Sequence, residues 1–146
     1  MALRDQFKTD NKLENDGIWL EFDEVRVRVR RAGKSNKAFL AEMAKHQRAL
    51  SIGAIRGSKA DKLAYEVFGK TVVCGWETMV KGQWVEGIDP LDAGKKASKT
   101  GDLLPATSEF IIDVFNELPE FADLVISQAS NHESFLAEVR EEKAKN

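Results

Sequence analysis

VVCGWETMVKGQWVEG, residues 72–87, carries two periods, and the point where one yields to the other decides the fold. Read backwards from Trp76, the apolar positions Val72, Phe68, Val67, Ala64, Leu63 and Ala60 recur at helical spacing, and Ser58 with Asp61 forms a capping box ahead of them. This pattern predicts a central helix from Ser58 to Trp76, with Gly75 ending it and Gly69 admitting a close neighbour. Read forwards, ETMVKGQWVEG predicts a hairpin turning at Lys81-Gly82, which sets Met79 opposite Trp84. Trp76, at the end of the apolar stripe, is expected to be buried where helix meets hairpin. Cys74 falls within the helical pattern and reads as a small buried thiol rather than a nucleophile.

Upstream the period is two. Residues 1–16 are polar and read as a flexible lead. Ile18 to Phe22 alternates, and VRVRVRR from Val25 places Val25, Val27 and Val29 on one face and Arg26, Arg28 and Arg30 on the other. Asp23-Glu24 is the candidate turn between two strands. Such a hairpin is marginal alone, so its valine face needs cover. Arg26, Arg28, Arg30, Arg31, Lys34 and Lys37 concentrate positive charge. Charged residues on a strand guard against sheet-to-sheet aggregation, and this explains them better than nucleic-acid binding, since only Trp19 and Phe22 offer nearby stacking platforms.

Ser35 or Asn36 caps a helix running to about Leu50, with Phe39, Leu40, Met43, Ala44 and Leu50 on one side. Residues 51–57 break the period and connect it to the central helix. After the second hairpin, residues 92–101 read as a flexible loop. Three C-terminal helices follow. The first is capped by Thr107 and carries Phe110, Ile111, Val114, Phe115 and Leu118. Pro119 starts the second, with Phe121, Leu124, Val125 and Ala129, and a Ser130/Glu133 box precedes the third, with Phe135, Leu136 and Val139. The expected fold is mainly α, a small helical domain over 17–143 with an N-terminal β-hairpin and a short second hairpin.

Several classes of chemistry find no support. The 146 residues carry a net charge of −2, which gives no global attraction to nucleic acid or acidic lipid. A single cysteine precludes an internal disulfide, and no apolar run approaches bilayer length. His46 and His132 lack partners at ligand spacing, so neither a metal nor another cofactor is expected. No nucleophile, base and oxyanion motif coincide, which argues against an enzyme. A cytoplasmic protein is expected.

The order of these pieces adds a resemblance. FDEVRVRVRR, then two helices with the second ending VVCGWE, a glycine-turn hairpin, and FIIDVFNELPEFADLVISQASNHESF together resemble the tail assembly chaperones of long-tailed bacteriophages over residues 17–140. Gly75-Trp76, Leu118-Pro119 and Asn131 to Phe135 carry most of it, while the lysine-rich segment 92–101 is longer than in that family. The resemblance implies a mostly helical, non-catalytic protein of the host bacterial cytoplasm that binds the tape measure protein, in some members also the tail tube protein, and is absent from the finished virion. Self-association is compatible with it. The partner surface is then expected on the C-terminal helices, with Phe110, Phe115, Phe121 and Phe135 as candidate contacts and Trp76 and Pro119 as structural residues. Two rival readings are a head–tail connector or minor virion protein, and a small nucleic-acid-binding regulator using the arginine strand.

Overall fold

Alternating valines need a partner on each edge as well as on their face, and both needs shape this chain. The computed structural model describes residues 2–95 and 102–136. Strands β1 (Ile18–Phe22) and β2 (Val25–Val29) pair antiparallel, with Phe22 opposite Val25 and Asp23 in the turn at φ 60°. The second edge of β2 is taken by β3 (Val73–Val80), which pairs onward with β4 (Gln83–Glu86). The expected pair of separate hairpins is therefore one four-stranded antiparallel sheet, ordered β1-β2-β3-β4. This corrects the mainly α expectation: the fold is mixed α/β.

The correction turns on residues 72–76. The central helix stops at Thr71, and Val72 to Trp76, expected to complete it, instead lead into and begin β3. Thr71, Val72 and Val73 are β-branched in succession, which weakens a helix and suits a strand. The open backbone groups of β2 supply the rest of the drive, because an unpaired interior edge leaves donors and acceptors unsatisfied. Gly75 sits within the strand opposite Arg28, and the register shifts between Arg28 and Val29. Cys74, left over at this irregularity, is half-buried in a strand rather than on a helix. Beyond it the hairpin turns at Lys81 (φ 49°) and Gly82 (φ 81°), and Met79 faces Trp84.

Among the described residues six α-helices accompany the sheet. The segment expected as a flexible lead contains α1 (Leu3–Phe7) and α2 (Asn11–Asp16), the latter capped by the Asp10 side chain. Glu14 of α2 is buried against Arg31, with Nη1 2.5 Å from Oε1. Burial pushes the Glu14 carboxyl up, yet hydrogen bonding with Thr9 and Arg31 together with the Arg31 charge more than offsets it, so its pKa lies below the ordinary value. Helix α3 (Lys37–Ser51), capped by Asn36, and α4 (Ser58–Thr71) form a helical hairpin in which the Phe39 and Phe68 rings meet edge to face. Gly57, not Ser58, precedes α4, and no side chain caps it.

Thr107 caps α5 (Ser108–Glu117), and Pro119 occupies the first turn of α6 (Pro119–Ser130). The expected third C-terminal helix is a 3₁₀ turn, His132–Phe135, capped by Asn131 rather than Ser130. Asn131 accepts from the Glu133 N–H, while the Phe135 carbonyl accepts from the Asp10 N–H and Leu136 bridges to Thr9. Those long-range bonds hold the main chain extended where a helix would need it coiled. Val139 and the final REEKAKN lie outside the described residues. Of the expected loop 92–101, Asp92 and Ala93 finish a 3₁₀ turn, Pro90–Ala93, and 96–101 lie outside the described residues.

One core joins the layers. Val27, Val29, Val73 and Trp76 from the sheet pack with Phe68 and Val72, with Ile111, Val114 and Phe115 of α5, and with Ala122 and Val125 of α6. Burying each large apolar side chain is worth roughly 1.5–3 kcal/mol. Gly69 lets α4 approach α5: a Cβ there would stand 2.8 Å from Ile112 Cγ1.

Candidate functional site

The two faces of the sheet differ because the residues alternate. On the outer face Arg26 lies between two indoles, its guanidinium carbon 4.1 Å from the Trp19 ring centre and 4.5 Å from that of Trp84, and it bonds Glu77 through Nε at 2.7 Å and through Nη2. Arg28 Nε donates to Cys74 Sγ at 3.3 Å. Arg31 is turned to Glu14 and Thr9. Three of the six cations in the basic stretch are thus engaged within the chain.

On the inner face the packing is incomplete. Between the β1–β2 turn and the α5–α6 corner lies an open apolar cleft of about 230 Å³, lined by Phe22, Val25, Val27, Trp76, Ile88, Val114, Leu118, Phe121 and Asp92. Its floor is rigid. Trp76 is 2% exposed and its Nε1–H donates to the Leu104 carbonyl at 2.8 Å, an oxygen that also accepts from the Ile88 N–H at 3.1 Å. Its walls are aromatic: Phe121 meets Phe22 edge-on at 5.1 Å and Phe115 at 6.0 Å. The proline at the start of α6 makes the sharp corner that leaves Leu118 42% exposed at the mouth.

Among the described residues Asp92 is the one charged residue of the lining. Burial, and then the neighbouring Asp89 charge, push its carboxyl above the ordinary value. The cleft offers an apolar slot with a carboxylate at its edge. This suits an aliphatic or aromatic side chain carried on a segment with a donor or cation nearby. Among the described residues no three His, Cys, Asp or Glu side chains gather as a metal site, and no helix is long and apolar enough to cross a membrane.

The four candidate phenylalanines separate. Phe115 and Phe135 are 1% and 0% exposed and sit inside the core. Phe121 is half-buried in the cleft wall. Phe110 is half-buried elsewhere, with Lys95 Nζ 5.6 Å from its ring centre. Sequence reasoning missed Phe22, Val25, Ile88 and Asp92 as neighbours of Phe121. Nothing local in the sequence brings them together, because the sheet does so.

The family described as YdaY prophage protein matches residues 24–146. No curated protein and no solved structure gives a significant match.

Proposed function

Because the chain belongs to the YdaY prophage protein family and is thus phage-derived, we propose that it is a non-enzymatic tail assembly chaperone that binds the tape measure protein. The cleft between the β1–β2 turn and the α5–α6 corner carries this reading. A tape measure protein is a long helical chain whose apolar stripes aggregate until the tail tube encloses it. A soluble domain that shelters one turn of such a stripe keeps it dispersed. Phe121 and Leu118 supply the walls, Trp76 supplies the floor, and Asp92 meets a lysine or arginine flanking the stripe.

The test is co-expression with the tape measure protein of the same phage. The wild-type chain should hold the partner in the soluble fraction and co-purify with it. Phe121→Ala should remain folded and lose co-purification, whereas Arg26→Glu with Arg28→Glu should retain it. Loss of the partner in the arginine variant, with retention in Phe121→Ala, would move the working surface to the outer face of the sheet and overturn the proposal.

A further inference from the structure

Charge is segregated along this chain. Residues 37–71, which span α3, α4 and their connection, hold seven Lys and Arg against three Asp and Glu, whereas residues 108–130, which span α5 and α6, hold five Asp and Glu and no Lys or Arg. The two groups meet at one end of the molecule. Gly69 faces Ile112 and the Tyr65 ring lies 5.8 Å from that of Phe115, so α4 and α5 run antiparallel. Ser58 begins α4 seven residues before Tyr65, about 10 Å of helix, while α5 ends two residues after Phe115, about 3 Å. The start of α4, and with it the α3–α4 connection, therefore lies about 7 Å, little more than one helical turn, past the end of α5. It forms a finger beside a shelf.

The finger carries exposed Arg48, Arg56 and Lys59 around Ile52, which is 69% exposed. The shelf is the outer face of α6, with exposed Glu120 and Asp123 around Leu124, which is 54% exposed. Each has an apolar centre and a charged rim of opposite sign. Among the described residues no ion pair joins finger to shelf within the chain. We propose that a second copy of this chain covers both: a twofold dimer in which the finger of each protomer lies on the α6 shelf of the other. A twofold axis makes the contact twice, and like-charged ends exclude the alternatives of finger on finger and shelf on shelf. The shelf residues are exposed and none of them lines the cleft, so this inference does not rest on the function proposed above.

The experiment is sedimentation equilibrium of the full chain across protein and salt concentration, with two charge-reversed variants, Arg56→Glu/Lys59→Glu and Glu120→Lys/Asp123→Lys. All four side chains are exposed, and circular dichroism would check that both variants fold. The wild type should form a dimer whose dissociation constant rises at least about tenfold between low and high salt, because exposed charges are screened. Each variant alone should be monomeric. An equimolar mixture of the two should recover a species of twice the monomer mass, since both contacts of the mixed pair are again of opposite sign. A monomeric wild type, variants that dimerise like the wild type, or a mixture that stays monomeric would each overturn the proposal. So would a wild-type chain that remains monomeric and binds duplex or single-stranded nucleic acid through Arg56 and Lys59.

Discussion

Replacing Trp76 separates the contributions that hold the sheet to α5. The ring is 2% exposed, and its Nε1–H bonds the Leu104 carbonyl at 2.8 Å. Trp76→Ala removes both the ring and the bond. Large aromatic truncations in a core cost about 3–5 kcal/mol. Here the lower end is expected, near 3 kcal/mol, because the ring borders an existing cleft and its removal enlarges that space instead of sealing a void. Trp76→Phe keeps most of the apolar contact and removes the donor. The Leu104 oxygen still accepts from the Ile88 N–H, so it is not left bare, and this variant should lose only about 1 kcal/mol. Urea unfolding followed by far-ultraviolet circular dichroism gives both values without relying on the lost indole. If Trp76→Ala unfolds within about 1 kcal/mol of wild type, where a core truncation should cost more, the core assignment is wrong. If Trp76→Phe is as damaging as Trp76→Ala, the hydrogen bond rather than the packing holds this junction.

Other substitutions test the remaining parts. Phe115→Ala and Phe135→Ala should each destabilise by about 3–5 kcal/mol in the same urea assay, while half-buried Phe121→Ala should lose less stability and weaken partner binding by about 2 kcal/mol or more in calorimetric titration. Gly69→Ala gains helix propensity of about 1 kcal/mol but drives a Cβ to within 2.8 Å of Ile112 Cγ1; net destabilisation is expected, and Ile112→Ala on the same chain should relieve part of it. Lys81 adopts φ 49° in a two-residue turn that favours Asn-Gly, so Lys81→Asn should stabilise the fold slightly, by up to about 1 kcal/mol, read as a higher urea midpoint. Glu14 has a folded pKa below its unfolded value, so the Glu14–Arg31 pair adds stability that is fully present above the ordinary carboxylate pKa of about 4.3 and is lost as pH falls through the folded value. Thermal midpoints across this acid range should fall more steeply for wild type than for Glu14→Gln, and equal slopes would show that another carboxylate dominates.

The readable parts of this fold were those set by neighbours in sequence. The valine alternation fixed the faces of β2, and Lys81-Gly82 fixed both the turn and the Met79 to Trp84 register. Thr107 and Pro119 marked the starts of α5 and α6. What escaped was long-range. Val67, Phe68, Val72 and Trp76 satisfy a helical period, and only the β2 edge, about fifty residues upstream, makes Val73 onward a strand. The β-branched run at Thr71 to Val73 was the local sign of it. The cleft escaped for the same reason: Phe22, Ile88, Asp92 and Phe121 lie far apart in sequence and meet only once the sheet joins its two halves. Asn131 prevailed over Ser130 as a cap because its side chain and the Thr9 to Leu136 bridge act together.

We propose that the cleft receives an amphipathic helix of the tape measure protein. Methyl-labelled protein titrated with peptides tiling that partner's helical region tests this directly by nuclear magnetic resonance. Saturable shifts are expected in Val25, Val27, Ile88, Val114 and Leu118 for peptides carrying an apolar stripe with a flanking cation, with no such shifts in Phe121→Ala. Saturable binding that leaves the methyl groups of these five residues unmoved, and perturbs instead the Trp19, Arg26 and Trp84 face, would contradict it.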